Sequence, residues 1–200
     1  YAPFDANIKE EEKIDQVIAW LEMPEDTRPK LIMTYWDGTD SVGHIHGTKH
    51  KKIYDQMIRQ DQMLSLLFSR LEEINAWDYV TLLLVSDHGM IDVNQYISLK
   101  SILDTLEIDY ILSAGPAVAH VFIGDVDHRA EAFKLLSSQD HMAVYDRGNL
   151  PKSFHMDHPS RTGDIIVTTE PPYMFNNNPA GGPKGMHGYD PNLSEMHAIF

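Results

Sequence analysis

Three short segments of the sequence carry residue types that bind metal ions. Asp40 and His44 lie four residues apart, Asp87 and His88 are neighbours after an apolar run, and His187 lies in a glycine-rich segment. Carboxylate oxygens and imidazole nitrogens are ligands of zinc and similar cations, and a four-residue spacing can place two side chains on one ion. Taken alone, Asp40 and His44 are more readily explained as a loop cap and a surface histidine, and Asp87 could simply cap the next turn. Together the segments make metal binding the first chemistry to consider.

The bulk composition narrows the kinds of site and partner. The 200 residues include no cysteine and 11 histidines, so a transition-metal site must use imidazole and carboxylate ligands. The 30 acidic and 16 basic residues give a net charge of −14, which repels the phosphate backbone of nucleic acid. We therefore expect no nucleic-acid scaffold role. A small anionic substrate is still compatible, because bound divalent cations dominate the local field.

Two segments have the periodicity of amphipathic helices. Residues 8–21 place their apolar side chains on one stripe, behind possible caps at Asp5 or Asn7. Residues 49–75 repeat apolar positions at three-, four- and seven-residue steps, which predicts a long helix with one core face. No run of about 18 apolar residues occurs and no charged-then-apolar leader opens the chain, so we expect no transmembrane segment or signal peptide in it.

Two apolar runs flank the long helix and predict buried strands. They are residues 31–36 and 79–85. Strand, helix and strand in this order form a right-handed crossover between parallel strands. The polar clusters 37–47 and 86–90 then follow the carboxyl ends of the strands, which is where open α/β sheets place their ligands. The predicted fold therefore brings the two Asp and His pairs to one edge of a sheet.

The remaining sequence predicts shorter elements and a long late loop. The expected helices are 98–106 and 128–136, and the expected strands lie near Tyr110 and at 118–123, 142–145 and 164–168. Residues 171–190 are rich in Pro, Gly and Asn, which predicts a long loop, and such loops in compact domains are usually functional.

Taken together, three ordered motifs resemble those of a known enzyme family. They are Asp40 to His44 with Gly47, Ser86 to Met90, and Gly185 to Asp190 with Met196 and Phe200. Their order and approximate spacing are similar to the nucleotide pyrophosphatase/phosphodiesterase family of type I phosphodiesterases, in the alkaline phosphatase superfamily. The resemblance extends over nearly the whole chain and corresponds to the C-terminal part of that family's catalytic domain.

The resemblance implies a dinuclear zinc site. Asp40, His44 and His187 would hold one zinc ion, and Asp87 and His88 would belong to the second. The family's Thr or Ser nucleophile and a further Asp ligand precede these motifs, and neither has a counterpart here. We therefore expect no catalytic nucleophile in this chain, and we expect the chain alone to be inactive.

The resemblance also implies a fold and a domain order. We expect an α/β fold of the alkaline phosphatase type, with a mostly parallel sheet flanked by helices and a small inserted α+β subdomain. Residues 1–96 would form a core segment of the phosphodiesterase domain, 97–160 the inserted subdomain, and 161–200 the return to the core with the last metal-ligand loop.

The expected function is zinc-dependent hydrolysis of phosphodiester or pyrophosphate bonds in a small molecule, most simply a nucleotide. Tyr35 and Tyr54 are the candidates for an aromatic slot that holds the base or leaving group, although aromatic residues more often only pack. A phosphomonoesterase, phosphonate hydrolase or sulfatase of the same superfamily is an alternative, and so is a catalytically inert metal-binding domain. The family points to a periplasmic or extracellular location.

Overall fold

A computed structural model describes residue 5 and residues 7–178 and 181–199. Phe200, which belongs to the third motif, lies outside the described residues. The chain divides after Val85 into two compact units, the first reaching Val85 and the second running from Ser86 to Ile199. The domain boundaries expected at residues 96 and 160 stay a prediction.

In the part that the structure describes, the first unit contains three α-helices: α1 (Glu10–Leu21), α2 (Gly38–His46) and α3 (Lys51–Glu73). Apolar side chains of α1 and α3 form its core, together with a 3₁₀ helix at Ala76–Asp78. The fully buried members are Ile14, Ile18, Leu21, Leu67, Leu71 and Ala76. Burial of each large aliphatic side chain stabilises the fold by roughly 1.5–3 kcal/mol. The apolar stripes predicted for both helices are therefore the faces that they bury against each other.

The predicted caps of α1 are wrong. The helix begins at Glu10 with Lys9 as its N-cap, and Lys9 makes no side-chain capping bond. Asp5 instead accepts hydrogen bonds from the backbone and side-chain nitrogens of Asn7, at 2.9 and 2.8 Å. Both candidate cap residues are therefore paired with each other ahead of the helix, as short polar side chains often are in turns.

The two strands predicted beside α3 do not form among the described residues. Residues 31–36 and 79–85 lie outside any helix or strand. Leu31, Met33 and Leu83 are 78%, 84% and 70% exposed. An apolar run becomes a strand only when neighbouring strands satisfy its backbone and cover its side chains. No strand among the described residues pairs with these two runs, so the predicted parallel crossover is not formed there.

Over its described residues, the second unit contains two α-helices and eight strands. In chain order they are β1 (Ile91–Asp92), β2 (Gln95–Ile97), α4 (Leu99–Leu103), β3 (Ile111–Ala114), β4 (Val118–Phe122), α5 (Val126–Ser137), β5 (Met142–Asp146), β6 (Ile165–Thr169), β7 (Tyr173–Phe175) and β8 (Gly185–Met186). The elements predicted between residues 98 and 168 are confirmed within a few residues. β1, β2, β7 and β8 were not expected.

The main sheet of the second unit is antiparallel, with strand order β3-β4-β6-β5. β6 lies in its interior, where Val167 is paired with Ala119 on one side and Val144 on the other. Helices α4 and α5 pack Leu99, Leu103 and Leu136 against this sheet. The predicted α+β character of this region is therefore present, with β6 as its most buried strand.

Two small strand pairs replace the long loop that residues 171–190 predicted. β2 pairs in parallel with β7, and β1 pairs antiparallel with β8 through Ile91 opposite Met186 and Asp92 opposite Gly185. The second pair matters for the site, because it holds the segment after His88 beside the segment before His187.

Candidate functional site

Helix α2 brings Asp40 and His44 together in the first unit. The residues lie one turn apart on one face of the helix, and Asp40 Oδ1 is 3.2 Å from His44 Nε2. Two ligands of one tetrahedral zinc ion lie about 3.3–3.4 Å apart when their bonds to the metal are about 2.0–2.1 Å long. The observed separation therefore suits two ligands of one ion, and it also suits a simple His and Asp contact.

Helix α3 fixes the first turn of α2. Gln60 accepts a short hydrogen bond from the Thr39 hydroxyl, and its amide nitrogen donates to the Trp36 carbonyl at 3.5 Å. A Cβ atom on Gly38 would lie 2.2 Å from the Gln56 side-chain nitrogen, so a larger residue there would require the flexible Gln56 side chain to shift. These contacts hold the turn that carries Asp40.

The C-terminal end of α2 is shaped by glycine and histidine. Gly47 ends the helix with φ +81°, a conformation that L side chains rarely adopt, and its N–H donates to the Gly43 carbonyl at 2.8 Å. His46 stacks on His50 with ring centroids 4.8 Å apart, and His50 caps α3 by accepting from Lys52 N. Because its ring nitrogen caps α3, His50 has a structural role. Burial, with the nearby Lys52 charge, lowers the pKa of His46.

In the second unit, Asp87 and His88 form a similar pair. His88 Nε2 lies 3.5 Å from Asp87 Oδ2, again near the spacing of two ligands on one ion. The Nδ1 atom of His88 lies 2.9 Å from the Gly89 carbonyl oxygen. Because a carbonyl oxygen only accepts, Nδ1 carries the proton, and Nε2 keeps its lone pair when the ring is neutral. The backbone thus presents His88 in the tautomer that a metal ion requires.

Backbone bonds to the end of the chain hold this pair in place. Gly89 N–H donates to the Met196 carbonyl at 3.1 Å, and Ser86 exchanges bonds with Ile199 through its backbone N–H and its hydroxyl. A Cβ atom on Gly89 would lie 2.0 Å from the Glu195 carbonyl oxygen. Only glycine fits this close approach, which explains its place directly after the Asp and His pair.

His187 lies against His88. The two rings stack with centroids 3.5 Å apart and planes inclined by 12°. The β1 and β8 pair positions the backbone just before His187, and Tyr189 anchors the chain after it by donating its hydroxyl proton to the Tyr173 carbonyl at 2.7 Å. Burial raises the pKa of Tyr189, so this hydroxyl stays a donor. Three predicted ligands therefore gather within the second unit.

The structure leaves the predicted aromatic slot untested. Tyr35 and Tyr54 both belong to the first unit and are 50% and 61% exposed. Lys13 donates to the Tyr35 carbonyl at 2.9 Å, which ties this segment to α1. Both rings are accessible to a ligand, and their role stays a prediction.

A second histidine cluster in the sequence, His155 to His158, has a structural explanation. His158 Nδ1 accepts hydrogen bonds from the backbone N–H groups of Ser160 and Arg161, at 3.3 and 3.2 Å. Its backbone N–H donates to Thr162. His158 therefore organises a turn, with one ring nitrogen already occupied.

Sequence reasoning missed Gln60 and the special requirement at Gly89. Gln60 is a polar residue outside the apolar stripe that predicts α3. Only the fold shows that it contacts the segment at the start of α2. The adjacency of Gly89 to the Asp and His pair is a signal that could have been used, because a glycine next to a ligand pair often marks a close backbone approach.

Comparison with known proteins agrees with the motifs. A family model described as type I phosphodiesterase/nucleotide pyrophosphatase matches residues 1–190. Human ectonucleotide pyrophosphatase/phosphodiesterase family member 1 is 30% identical over 215 residues, which cover 100% of this chain and 23% of that protein. Human bis(5'-adenosyl)-triphosphatase ENPP4 is 27% identical, and the match covers 97% of this chain and 43% of that protein.

Solved structures give the same relationship. Murine ectonucleotide pyrophosphatase/phosphodiesterase 5 superimposes with a TM-score of 0.87 at 26% identity, covering 99% of this chain and 53% of that one. The human counterpart gives a TM-score of 0.88 at 26% identity, with the same coverage. The match confirms the predicted α/β fold of the alkaline phosphatase type.

The chain spans about a quarter to less than half of the curated relatives' length and about half of the matched structures.

Among the helices of the described residues, none is both long and apolar enough to cross a lipid bilayer.

Proposed function

The chain belongs to the type I phosphodiesterase/nucleotide pyrophosphatase family, and we propose that it is the C-terminal part of a zinc-dependent domain that hydrolyses phosphodiester or pyrophosphate bonds in nucleotides. The observation that carries the proposal is the presence of two Asp and His pairs at ligand spacing, 3.2 Å for Asp40 with His44 and 3.5 Å for Asp87 with His88. Both pairs lie in the motifs that carry the resemblance.

The proposed metal assignment follows the resemblance. Asp40, His44 and His187 hold one zinc ion, and Asp87 and His88 contribute to a second. Each ion would act as a Lewis acid that stabilises negative charge on the phosphoryl group and its oxygens. The Thr or Ser nucleophile and a further Asp ligand lie outside this chain.

The residues of this chain prepare the ligands and hold them in place. The Gly89 carbonyl fixes the His88 tautomer, and Gln60 holds the helical turn that presents Asp40. Such supporting contacts typically alter metal affinity or activity about 10- to 100-fold when removed. Their presence in both units favours ligand positioning over a pair of incidental surface contacts.

A nucleotide is the substrate class that the relatives favour. One human relative is named a bis(5'-adenosyl)-triphosphatase, and an inactive variant of murine ectonucleotide pyrophosphatase/phosphodiesterase 5 has been solved with AMP. We propose that Tyr35 and Tyr54 form the aromatic slot, since both rings are accessible and base stacking on an aromatic ring contributes about 1–3 kcal/mol. The relatives' names also favour a location outside the cytoplasm, which we propose as periplasmic or extracellular.

The test is a substrate comparison with the intact domain that contains this chain. A nitrophenyl phosphodiester should be cleaved faster than the matching monoester or sulfate ester, and Asp40→Asn should abolish cleavage. Preference for the monoester or sulfate ester would favour a sister hydrolase of the superfamily. Absence of any cleavage, with zinc bound, would favour the inert metal-binding alternative.

A further inference from the structure

A cavity of about 620 Å³ lies within the second unit. Its size falls in the range of about 300–1,000 Å³ that small-molecule sites occupy. None of the five predicted metal ligands lines it, and neither do Tyr35 or Tyr54. The proposed nucleotide hydrolysis therefore gives this cavity no role.

The walls of the cavity are fixed by strand pairing and side-chain bonds. The adjacent antiparallel strands β5 and β6 pair Met142 with Thr169, and the Thr169 hydroxyl donates to the His141 carbonyl at 2.7 Å. On another side, the bond from the Tyr189 hydroxyl to the Tyr173 carbonyl holds the lining segment that begins at Tyr189. The cavity is thus largely pre-formed, which lowers the entropic cost of binding a ligand.

The charges that line the cavity are negative. Glu170 and Asp190 contribute carboxylates, and the lining includes no Lys or Arg. A phosphate or carboxylate ligand would meet repulsion from these carboxylates with no Lys or Arg side chain to offset it. The lining therefore disfavours the anionic substrate class proposed for the metal site and favours a positively charged ligand.

The apolar part of the lining suits the same ligand. Tyr145 and Phe154 meet edge to face with ring centroids 5.5 Å apart, and the thioethers of Met142 and Met156 lie in the same lining. Aromatic faces attract organic ammonium groups, and methionine adapts to irregular apolar bodies. Carboxylates beside rings and thioethers are the combination that binds a cation attached to an apolar group.

We propose that this cavity binds a small organic ammonium compound, with its charge near Glu170 and its apolar body against Tyr145 and Phe154. The site belongs to the second unit alone and goes beyond the proposed hydrolysis. Its ligand is opposite in charge to the proposed substrate.

The test uses three benzyl probes of similar size and different charge on the full 200-residue chain. They are benzyltrimethylammonium, neutral benzyl alcohol and anionic benzoate. Titration followed by amide chemical shifts should show saturable binding of the cation, with the largest shifts at Ala117, Met142 and Glu170. Benzoate should produce no saturable shift, and benzyl alcohol should bind at least about threefold more weakly than the cation.

Matched variants locate the binding. Glu170→Gln should weaken cation binding about two- to fivefold, as expected for an accessible ion pair. Glu131→Gln makes the same charge change on the exposed face of α5 and should have no effect. Phe154→Leu keeps an apolar side chain without the aromatic ring and should weaken binding of both the cation and benzyl alcohol, because the benzyl body of each probe contacts that ring.

Several outcomes overturn the proposal. The first is the absence of saturable binding of the cation up to about 10 mM. The others are equal affinity for all three probes and equal losses of cation affinity from Glu170→Gln and Glu131→Gln. Circular dichroism of each variant separates loss of the ligand contact from loss of the fold. Zinc binding needs none of these residues, so this result and the test of hydrolysis can fail independently.

Discussion

The two compact units differ in whether apolar runs predicted to be strands are paired and buried. In the second unit, Val121, Ile165 and Val167 are fully buried within a sheet whose central strands are paired on both sides. In the first unit, the equally apolar runs at 31–36 and 79–85 form no strand and expose most of Leu31 and Leu83. Hydrophobic composition is therefore insufficient to define a buried strand. The partners that cover it decide the outcome.

The same difference separates the predicted metal ligands of the first unit from those of the second. Asp40 and His44 are positioned by local helix geometry, supported by Gln60 on a neighbouring helix. His88 and His187 are positioned by pairing between segments distant in the sequence. We expect targeted substitutions in the two units to change stability by different amounts.

The largest effect should come from matched leucine truncations in the two units. Leu136→Ala empties a fully buried position and should reduce the free energy of unfolding by about 2–5 kcal/mol. Leu83→Ala, at an exposed position in the first unit, should change it by less than about 0.5 kcal/mol. Urea denaturation followed by circular dichroism measures both. Equal losses would break the comparison.

Gly89→Ala tests the close approach in the second unit. The new methyl group would collide with the Glu195 carbonyl, so we expect a loss of about 1–3 kcal/mol and a displaced Asp87 and His88 segment. Gly124→Ala is the matched control in the same unit, because a Cβ there meets no atom within 4 Å. Thermal unfolding of the two variants gives the comparison, and an unchanged Gly89→Ala protein would contradict the geometry.

Gln60→Ala tests the helix support in the first unit. Loss of the bonds to Thr39 and the Trp36 carbonyl should cost about 0.5–1.5 kcal/mol and weaken metal binding at Asp40 and His44. Gln62→Ala changes an exposed residue on the same helix and should do neither. Cobalt titration with visible spectroscopy reads out the metal site separately from stability. Metal affinity equal in the two variants would remove Gln60 from the site.

The smallest effect is a pH dependence within the second unit's sheet. Burial lowers the pKa of His120 below its usual value of 6.5, and its Nδ1 accepts from Gly163 N–H at 3.2 Å. The unfolded chain therefore takes up a proton first, so stability falls as pH drops below about 6.5 and levels off below the folded pKa. Urea midpoints between pH 7.5 and 5 should fall less in His120→Gln than in the parent chain or the exposed His128→Gln control.

Local sequence patterns predicted two helices of the first unit well. α1 and α3 follow from amphipathic periodicity, because a helix closes its hydrogen bonds within one segment. The strands at 31–36 and 79–85 could not be resolved the same way, since pairing depends on other segments. β8, only two residues long within a Gly- and Pro-rich stretch, carries no pattern long enough to detect.

The candidate site divides similarly. The four-residue spacing of Asp40 and His44 is a local signal that the helix α2 realises. The stacking of His187 on His88 depends on the pairing of β1 with β8, which no spacing in the sequence encodes. In the sequence, only the resemblance of three ordered motifs connects the segments that carry His88 and His187. The resemblance therefore predicts the metal chemistry, which stays a prediction, whereas no pattern in the sequence predicted the supporting geometry.

Zinc titration calorimetry on the full chain, compared with His187→Ala and His128→Ala, tests whether Asp40, His44 and His187 share a zinc ion. His128 is exposed on α5 outside the predicted ligand set, so its removal makes the same substitution without touching a ligand. We predict tight zinc binding that His187→Ala weakens at least about 100-fold and His128→Ala leaves unchanged. Absence of tight binding, or equal affinity in both variants, would contradict the proposal that Asp40, His44 and His187 share a zinc ion.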